Sequence, residues 1–424
     1  MDQGPAKSRM IGRIPLGRVL AACVVWLGIA VSTATAADDR ALRLAARQLV
    51  AAQLESGLFD FDFDFATGAG RGAGTTTNQH MVFIVRQAAA AYGLAKYFHH
   101  SGDETVRAAT MRTIEALAER SIPVGSGDLQ RWIEASGLYS IPWGRRTLVR
   151  VLDSMGLLYR NDGPGRLLAF EGDYETAWAG GTALALLAEL HYAMASGDQR
   201  FAAQRRSWLA GLMALHVDGT GFREYPGSID ESPLAHGEIW LALSFLPSAD
   251  AAELGSRLQR IDRYMQSVYA ADPTLQFFHW GLMAVAQRGS ALDPRQAMHL
   301  VERITRHVLD TVPASLVTEE TTCTLVEGLA AAAQFLRRAP QWDMALLKQI
   351  DDRIAVEMAK NYAMQIQPGQ SDITRADGVR LQIPPTLNAA GAFVAMRTRP
   401  FIRVDYTGHC ISALVELARK ESGR

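Results

Sequence analysis

The chain has 424 residues, with 43 lysines and arginines against 44 aspartates and glutamates, and three cysteines. That length allows one large domain or two ordinary ones. The near-neutral balance excludes a basic stripe for nucleic acid and an acidic tail of the disordered kind.

The first residues read as an export signal. Lys7, Arg9, Arg13 and Arg18 are basic, Val19 to Val31 is apolar, and Ala34-Thr35-Ala36 is a small-x-small cleavage site. The apolar run is shorter than the roughly 20 residues of a membrane span. Residues 1–36 are therefore expected to be removed, leaving a periplasmic or secreted protein with no membrane attachment. Cys23 leaves with the signal. Cys323 and Cys410 remain. Two cysteines are no disulfide scaffold, and a core of this size needs none.

Asp38 to Gln53 reads as a helix with a stripe of Leu42, Ala45, Leu49 and Ala52. Phe59 to Phe65 alternates Phe and Asp, the pattern of a half-buried strand. A glycine-rich loop leads into Thr77–His100, a helix with a small, apolar centre. Gly102-Asp103 then turns the chain into an amphipathic helix ending near Arg120. Prolines and glycines interrupt Ser121 to Phe170, which reads as an elaborated loop with some β structure.

Gly172 to Ala195 starts with Asp173, Tyr174, Glu175 and Trp178 and continues with almost no charge, as a helix buried on most faces does. The same design recurs at Pro233, Pro273, Thr318 and Asp405. Helices starting near Gly197, Ala249, Asp293 and Gln341 are the amphipathic partners. Gln365 to Arg403 is a second interrupted segment.

Six mostly apolar helices thus begin near Thr77, Asp173, Pro233, Pro273, Thr318 and Asp405, and the first five have amphipathic partners downstream. The helix near Asp38 is spare and can pair with the last. Each pair alone leaves an apolar face bare, which stacking buries. The fold expected is an all-α (α/α)6 toroid over residues 37–424, with insertions at 121–172 and 365–404. An open α-solenoid is the competing arrangement. Turns from apolar helix to partner are short, so most long loops gather at the N-termini of the inner helices. A cleft on that face is where binding and catalysis belong.

The inner-helix tips supply the candidate groups. Glu175, Glu238 and Glu320 are the expected acid/base residues, assisted by His236, His279 and His409. Arg86 would hold an anionic substrate group such as a uronate, and Asn78 and Asp405 are further expected substrate-binding residues. Tyr174, Trp280 and Tyr406 would stack on sugar faces. Paired carboxylates and aromatic planes on convergent helices suit glycan chemistry. Each residue also has a plainer reading. Glutamates suit any first helical turn, His279 and Trp280 can be a packed pair, and Arg86 in an apolar helix must have a partner, either a neighbouring Glu or a substrate carboxylate. Cofactors are expected to be none. One alternative is a zinc site of Cys323, His409 and Cys410. Another is a toroid that binds a glycan or protein partner without catalysis.

The pattern of inner-helix tips resembles the (α/α)6 toroids of carbohydrate-active enzymes. These include N-acylglucosamine 2-epimerases, unsaturated glucuronyl hydrolases and glucuronyl C5-epimerases. His236-Gly237-Glu238-Ile239-Trp240-Leu241 is similar to the His…Glu…Trp helix of the 2-epimerases, with closer His–Glu spacing. The resemblance implies an oligosaccharide or polysaccharide substrate and a hydrolase, epimerase or lyase reaction. Cys323, His409 and Cys410 loosely resemble the zinc sets of lanthionine cyclases and prenyltransferase β-subunits.

Overall fold

The computed structural model describes residues 38–422 except 61, 71–76, 125–164, 171–176, 218, 220, 227, 229–230, 315–318 and 340–342; for 77–82 and 420–422 it describes the backbone alone. The expected signal, Tyr174 and Glu175 lie outside the described residues. So do the Asn78 side chain and most of the 121–172 insertion.

Six inner helices form a closed ring: α2 (Thr77–Ser101), α4 (Ala179–Ser196), α6 (Pro233–Ser244), α9 (Leu275–Arg288), α11 (Cys323–Arg338) and α13 (Val404–Ser422). Each packs on the next, and α13 packs back on α2. Every described side chain of α4 from Ala179 to Ala193 is buried, as a helix lined on all sides by protein requires. The outer layer comprises α3 (Glu104–Glu119), α5 (Ala202–Leu215), α7 (Ser248–Leu254) with α8 (Ser256–Ala271), α10 (Pro294–Thr311) and α12 (Met344–Ala363). The expected single helix from Ala249 to Ala270 is broken at Gly255, whose φ of +47° stops it.

The spare helix, α1 (38–51), takes the last outer position. Tyr362 at the end of α12 bonds Asp38, and the Gln365 amide donates to the Ala41 carbonyl at 2.8 Å. On the other side Gln53, just beyond α1, donates to Thr113 Oγ1 of α3 at 2.7 Å. The ring is closed, which sets aside the open solenoid. Among the described residues, no helix is long and apolar enough to cross a membrane.

Local chemistry sets the helix limits. Asp103, Ser232, Thr274, Asp293 and Asp343 each accept a backbone N–H at a helix start. Gly197 at φ +69° closes α4 with its N–H on the Ala193 carbonyl.

The seams between inner helices are tight because side chains are missing there. A Cβ on Gly181 would stand 3.2 Å from Val85 between α4 and α2. One on Gly237 would stand 2.7 Å from Trp280 Cβ, and one on Gly328 3.0 Å from His279 Cα. Gly93 and Gly408 meet backbone to backbone between α2 and α13. At the α11–α13 seam a covalent bond does this work. Cys323 and Cys410 form a disulfide with Cα atoms 4.8 Å apart. That corrects two expectations: the cysteines are paired, and they are not free thiolates for a zinc site with His409.

Short strands trim the N-terminal face. β1 (Asp62–Asp64) pairs antiparallel with β6 (Phe401–Arg403), setting Asp62 opposite Arg403. β2 (Ser121–Val124) pairs with β3 (Gly165–Leu168), and β4 (Asp372–Thr374) with β5 (Arg380–Gln382). The 365–403 insertion has a small core of its own, with Ile366, Ile373 and Val394 around Phe65.

Candidate active site

Asp405, His409, Ser412 and Glu416 fall at i, i+4, i+7 and i+11, one stripe of α13 about 16 Å long. Each meets polar partners from neighbouring inner helices, so polar layers are stacked inside an otherwise apolar ring.

The outermost layer holds Arg86, Arg403, Asp405 and Tyr406. Arg403 clamps Asp405 with two bonds, Nε–Oδ1 2.5 Å and Nη2–Oδ2 2.9 Å. Arg86 Nε stands 3.6 Å from Asp405 Oδ2 and keeps about a third of its side chain exposed. The acidic partner demanded of Arg86 by its apolar helix is therefore Asp405. Burial pushes the Arg86 guanidinium down to about 10; Asp405 opposes that and Arg403 adds to it. The Arg403 guanidinium lies 4.5 Å from the centre of the Tyr406 ring. Tyr406 is half-buried at this rim.

The middle layer holds His279, Glu327 and His409, with Trp280 and Tyr92 around them. His409 Nδ1 and Glu327 Oε2 share a hydrogen bond of 2.9 Å. Burial alone would push both groups toward their neutral forms. Their mutual attraction wins, holding the Glu327 carboxyl below and the His409 imidazole above its ordinary range. Burial pushes His279 down to about 3, against the pull of Glu327. The innermost layer is an ion pair, Lys96 Nζ to Glu416 Oε1 at 2.6 Å. Lys96 Nζ also bonds Ser412 Oγ at 2.7 Å, and Gln334 donates to Glu416 Oε2 at 3.0 Å.

Glu238 stands apart from this stack, at the α4–α6 seam. Its carboxylate occupies the place a Cβ on Gly180 would need, with Oε2 at 1.9 Å from that point. It is buried, and burial, aided by the charge of Glu224, pushes its pKa up to about 8. A carboxyl held neutral near pH 7 can give up a proton to a substrate.

Three of the expected residues sit elsewhere than the sequence suggested. His236 faces the outer helix α8: it bonds Tyr269 Oη at 2.6 Å and accepts from the Phe222 N–H at 2.8 Å. It is a satisfied core imidazole. Trp280 is sealed among Tyr92, His279 and His409 with 1% exposure, so it cannot offer a face to a sugar. Glu320 is exposed ahead of α11, which starts at Cys323 rather than Thr318, and its backbone bridges Met396. Sequence reasoning missed Glu327, Glu224, Lys96 and Glu416. For Glu327, Lys96 and Glu416 the overlooked signal is the one that flagged Arg86, a charge inside an apolar helix.

No protein-family model matches the sequence, and no curated relative matches it. Solved structures share the fold. An unsaturated glucuronyl hydrolase specific for heparin aligns at TM-score 0.54 and 10% identity, over 91% of this chain and 98% of that chain. An inactive variant of an α-1,6-mannanase of Salegentibacter sp. HEL1_6, in complex with α-1,6-mannotetrose, aligns at TM-score 0.54 and 10% identity, over 89% and 98%. The expected resemblance to carbohydrate-active toroids thus holds at the level of fold.

Proposed function

We propose that this chain is an exported glycan-processing enzyme whose substrate, an oligosaccharide or polysaccharide, binds at the N-terminal ends of the inner helices. Glu238 is the proton donor. The observation that carries this reading is the Glu238 carboxyl itself: buried at the α4–α6 seam against Gly180, with burial first and the charge of Glu224 second raising it to about 8. Two carboxyl groups with one forced neutral suit glycoside hydrolysis, in which an acid protonates the leaving oxygen. Epimerisation or elimination at a uronate would use the same donor with another base. In this reading Arg86, which keeps about a third of its side chain exposed beside Asp405, holds an anionic sugar, and Tyr406 lies against a ring. The toroid fold, shared with an unsaturated glucuronyl hydrolase and an α-1,6-mannanase, supports the reading, and export follows from the expected signal at residues 1–36.

The test is a panel of neutral and uronate-containing glycans incubated with the mature chain. New reducing ends report hydrolysis, an unsaturated product reports elimination, and deuterium incorporated from solvent reports epimerisation. Turnover of at least one glycan by wild type, lost in Glu238→Gln, supports the assignment. A wild-type chain that binds a glycan without changing it makes the protein a binding toroid.

A further inference from the structure

Glu327 is the fifth residue of α11, His279 the fifth of α9 and His409 the sixth of α13. Three adjacent inner helices therefore present their second turns at one level. One ligand atom from each of the three side chains lies within 4.8 Å of the other two. The layer beneath is saturated, since Lys96, Glu416, Ser412 and Gln334 bond one another. This layer is not. Glu327 Oε1 and His279 Nε2 are buried without a hydrogen-bond partner, although Glu327 is wholly and His279 more than nine-tenths buried. Buried polar atoms without partners each cost on the order of 1–3 kcal/mol, so two in one cluster call for a missing occupant.

We propose that His279, Glu327 and His409 form a binding site for one divalent transition-metal ion, of which zinc is the best fit. Two imidazoles and one carboxylate are a zinc donor set that leaves coordination positions open. Ligand atoms on one ion at about 2.1 Å stand roughly 3–3.5 Å apart. Binding would draw the three ligand atoms inward from their present spread of up to 4.8 Å. It replaces the His409–Glu327 hydrogen bond with one bond from each group to the ion and gives His279 Nε2 a partner. His409 retains 16% exposure, which gives an entry path. The disulfide and Trp280 between them brace all three ligands. Cys323 precedes Glu327 by one turn and Cys410 adjoins His409, so the disulfide fixes both helices at the level of the site. Trp280 packs against both imidazoles, with ring centres 4.5 Å from His279 and 5.4 Å from His409. An ion here would present a Lewis acid one turn below Asp405. The cysteines take no part as ligands.

This site does not rest on the glycan reading, and its test needs no glycan. The mature chain is stripped with a chelator, dialysed and titrated with zinc by calorimetry. Cobalt(II) is titrated in parallel and followed by its visible absorption. One equivalent of each ion is expected, with the strong visible bands of four- or five-coordinate cobalt. His279→Gln, Glu327→Gln and His409→Gln should each weaken uptake at least tenfold, while His307→Gln, on the outer helix α10, leaves it unchanged. Circular dichroism of each metal-free variant separates ligand loss from misfolding. Wild-type protein that takes up no stoichiometric ion overturns the proposal, whatever the variants do. So does uptake that the three folded variants retain in full.

Discussion

The carboxylate of Glu238 fills the space that any side chain at Gly180 would claim: Oε2 lies 1.9 Å from where a Cβ would be. The first turn of α4 thus sets the position of a group on α6. Gly180→Ala must drive the carboxylate out of its place. Overpacking of this kind costs about 1–3 kcal/mol. If Glu238 is the donor, turnover falls at least tenfold as well. Adding Glu238→Ala should recover stability but not activity. Thermal melts of the single and double variants measure that non-additivity.

The same burial predicts a pH dependence. Below pH 4.5 Glu238 carries its proton in both the folded and the unfolded chain. Between 4.5 and about 8 the unfolded chain has released the proton and the folded chain has kept it. The folded state then binds more protons, so stability falls as pH rises through this window and levels off above 8. The loss is on the order of a few kcal/mol. Glu238→Gln should be more stable than wild type at pH 8–9 and no more stable at pH 4, as urea melts at the two pH values would show.

Joining Cys323 to Cys410 closes a loop with a sequence separation of 87. Disulfides typically contribute about 2–4 kcal/mol, with long loops such as this one at or slightly above the upper end. Cys323→Ser/Cys410→Ser should therefore melt several degrees lower than wild type. Adding reductant should lower the melting temperature of wild type and leave the double variant unchanged.

Lys96 and Glu416 are buried and depend on each other, with 2.6 Å between Nζ and Oε1. Lys96→Met takes away the closer of two cations at Glu416, leaving Arg419 at 3.4 Å, and costs up to about 3–5 kcal/mol. Lys96→Met/Glu416→Gln removes both charges and should regain most of that loss. Chemical denaturation of the pair of variants checks the order.

The ring was legible in the sequence because its two helix types differ in composition. The α4 stretch Ala179-Gly180-Gly181-Thr182-Ala183-Leu184 has no polar face to offer, whereas α10 turns Leu300, Val301 and Ile304 inward and its charges outward. Four inner-helix starts fell within two residues of their expected places, while those near Asp173 and Thr318 came five or six residues later. The Cys323–Cys410 bond was not legible, because the two residues become neighbours only when α13 closes on α11. The His279–Glu327–His409 layer shares that difficulty, as its members come from three helices. His236 and Trp280 misled for a related reason. Sequence places a residue at a tip but does not say toward which neighbour its side chain turns, and His236 turns to α8.

The most direct test of the central claim is a comparison of Glu238→Gln with wild type on a glycan that wild type converts. The account predicts a fall in kcat of about 10²–10⁴, the usual worth of a general acid, with the dissociation constant for that glycan changed by no more than about threefold. A Glu238→Gln chain that turns over the glycan at the wild-type rate would contradict it.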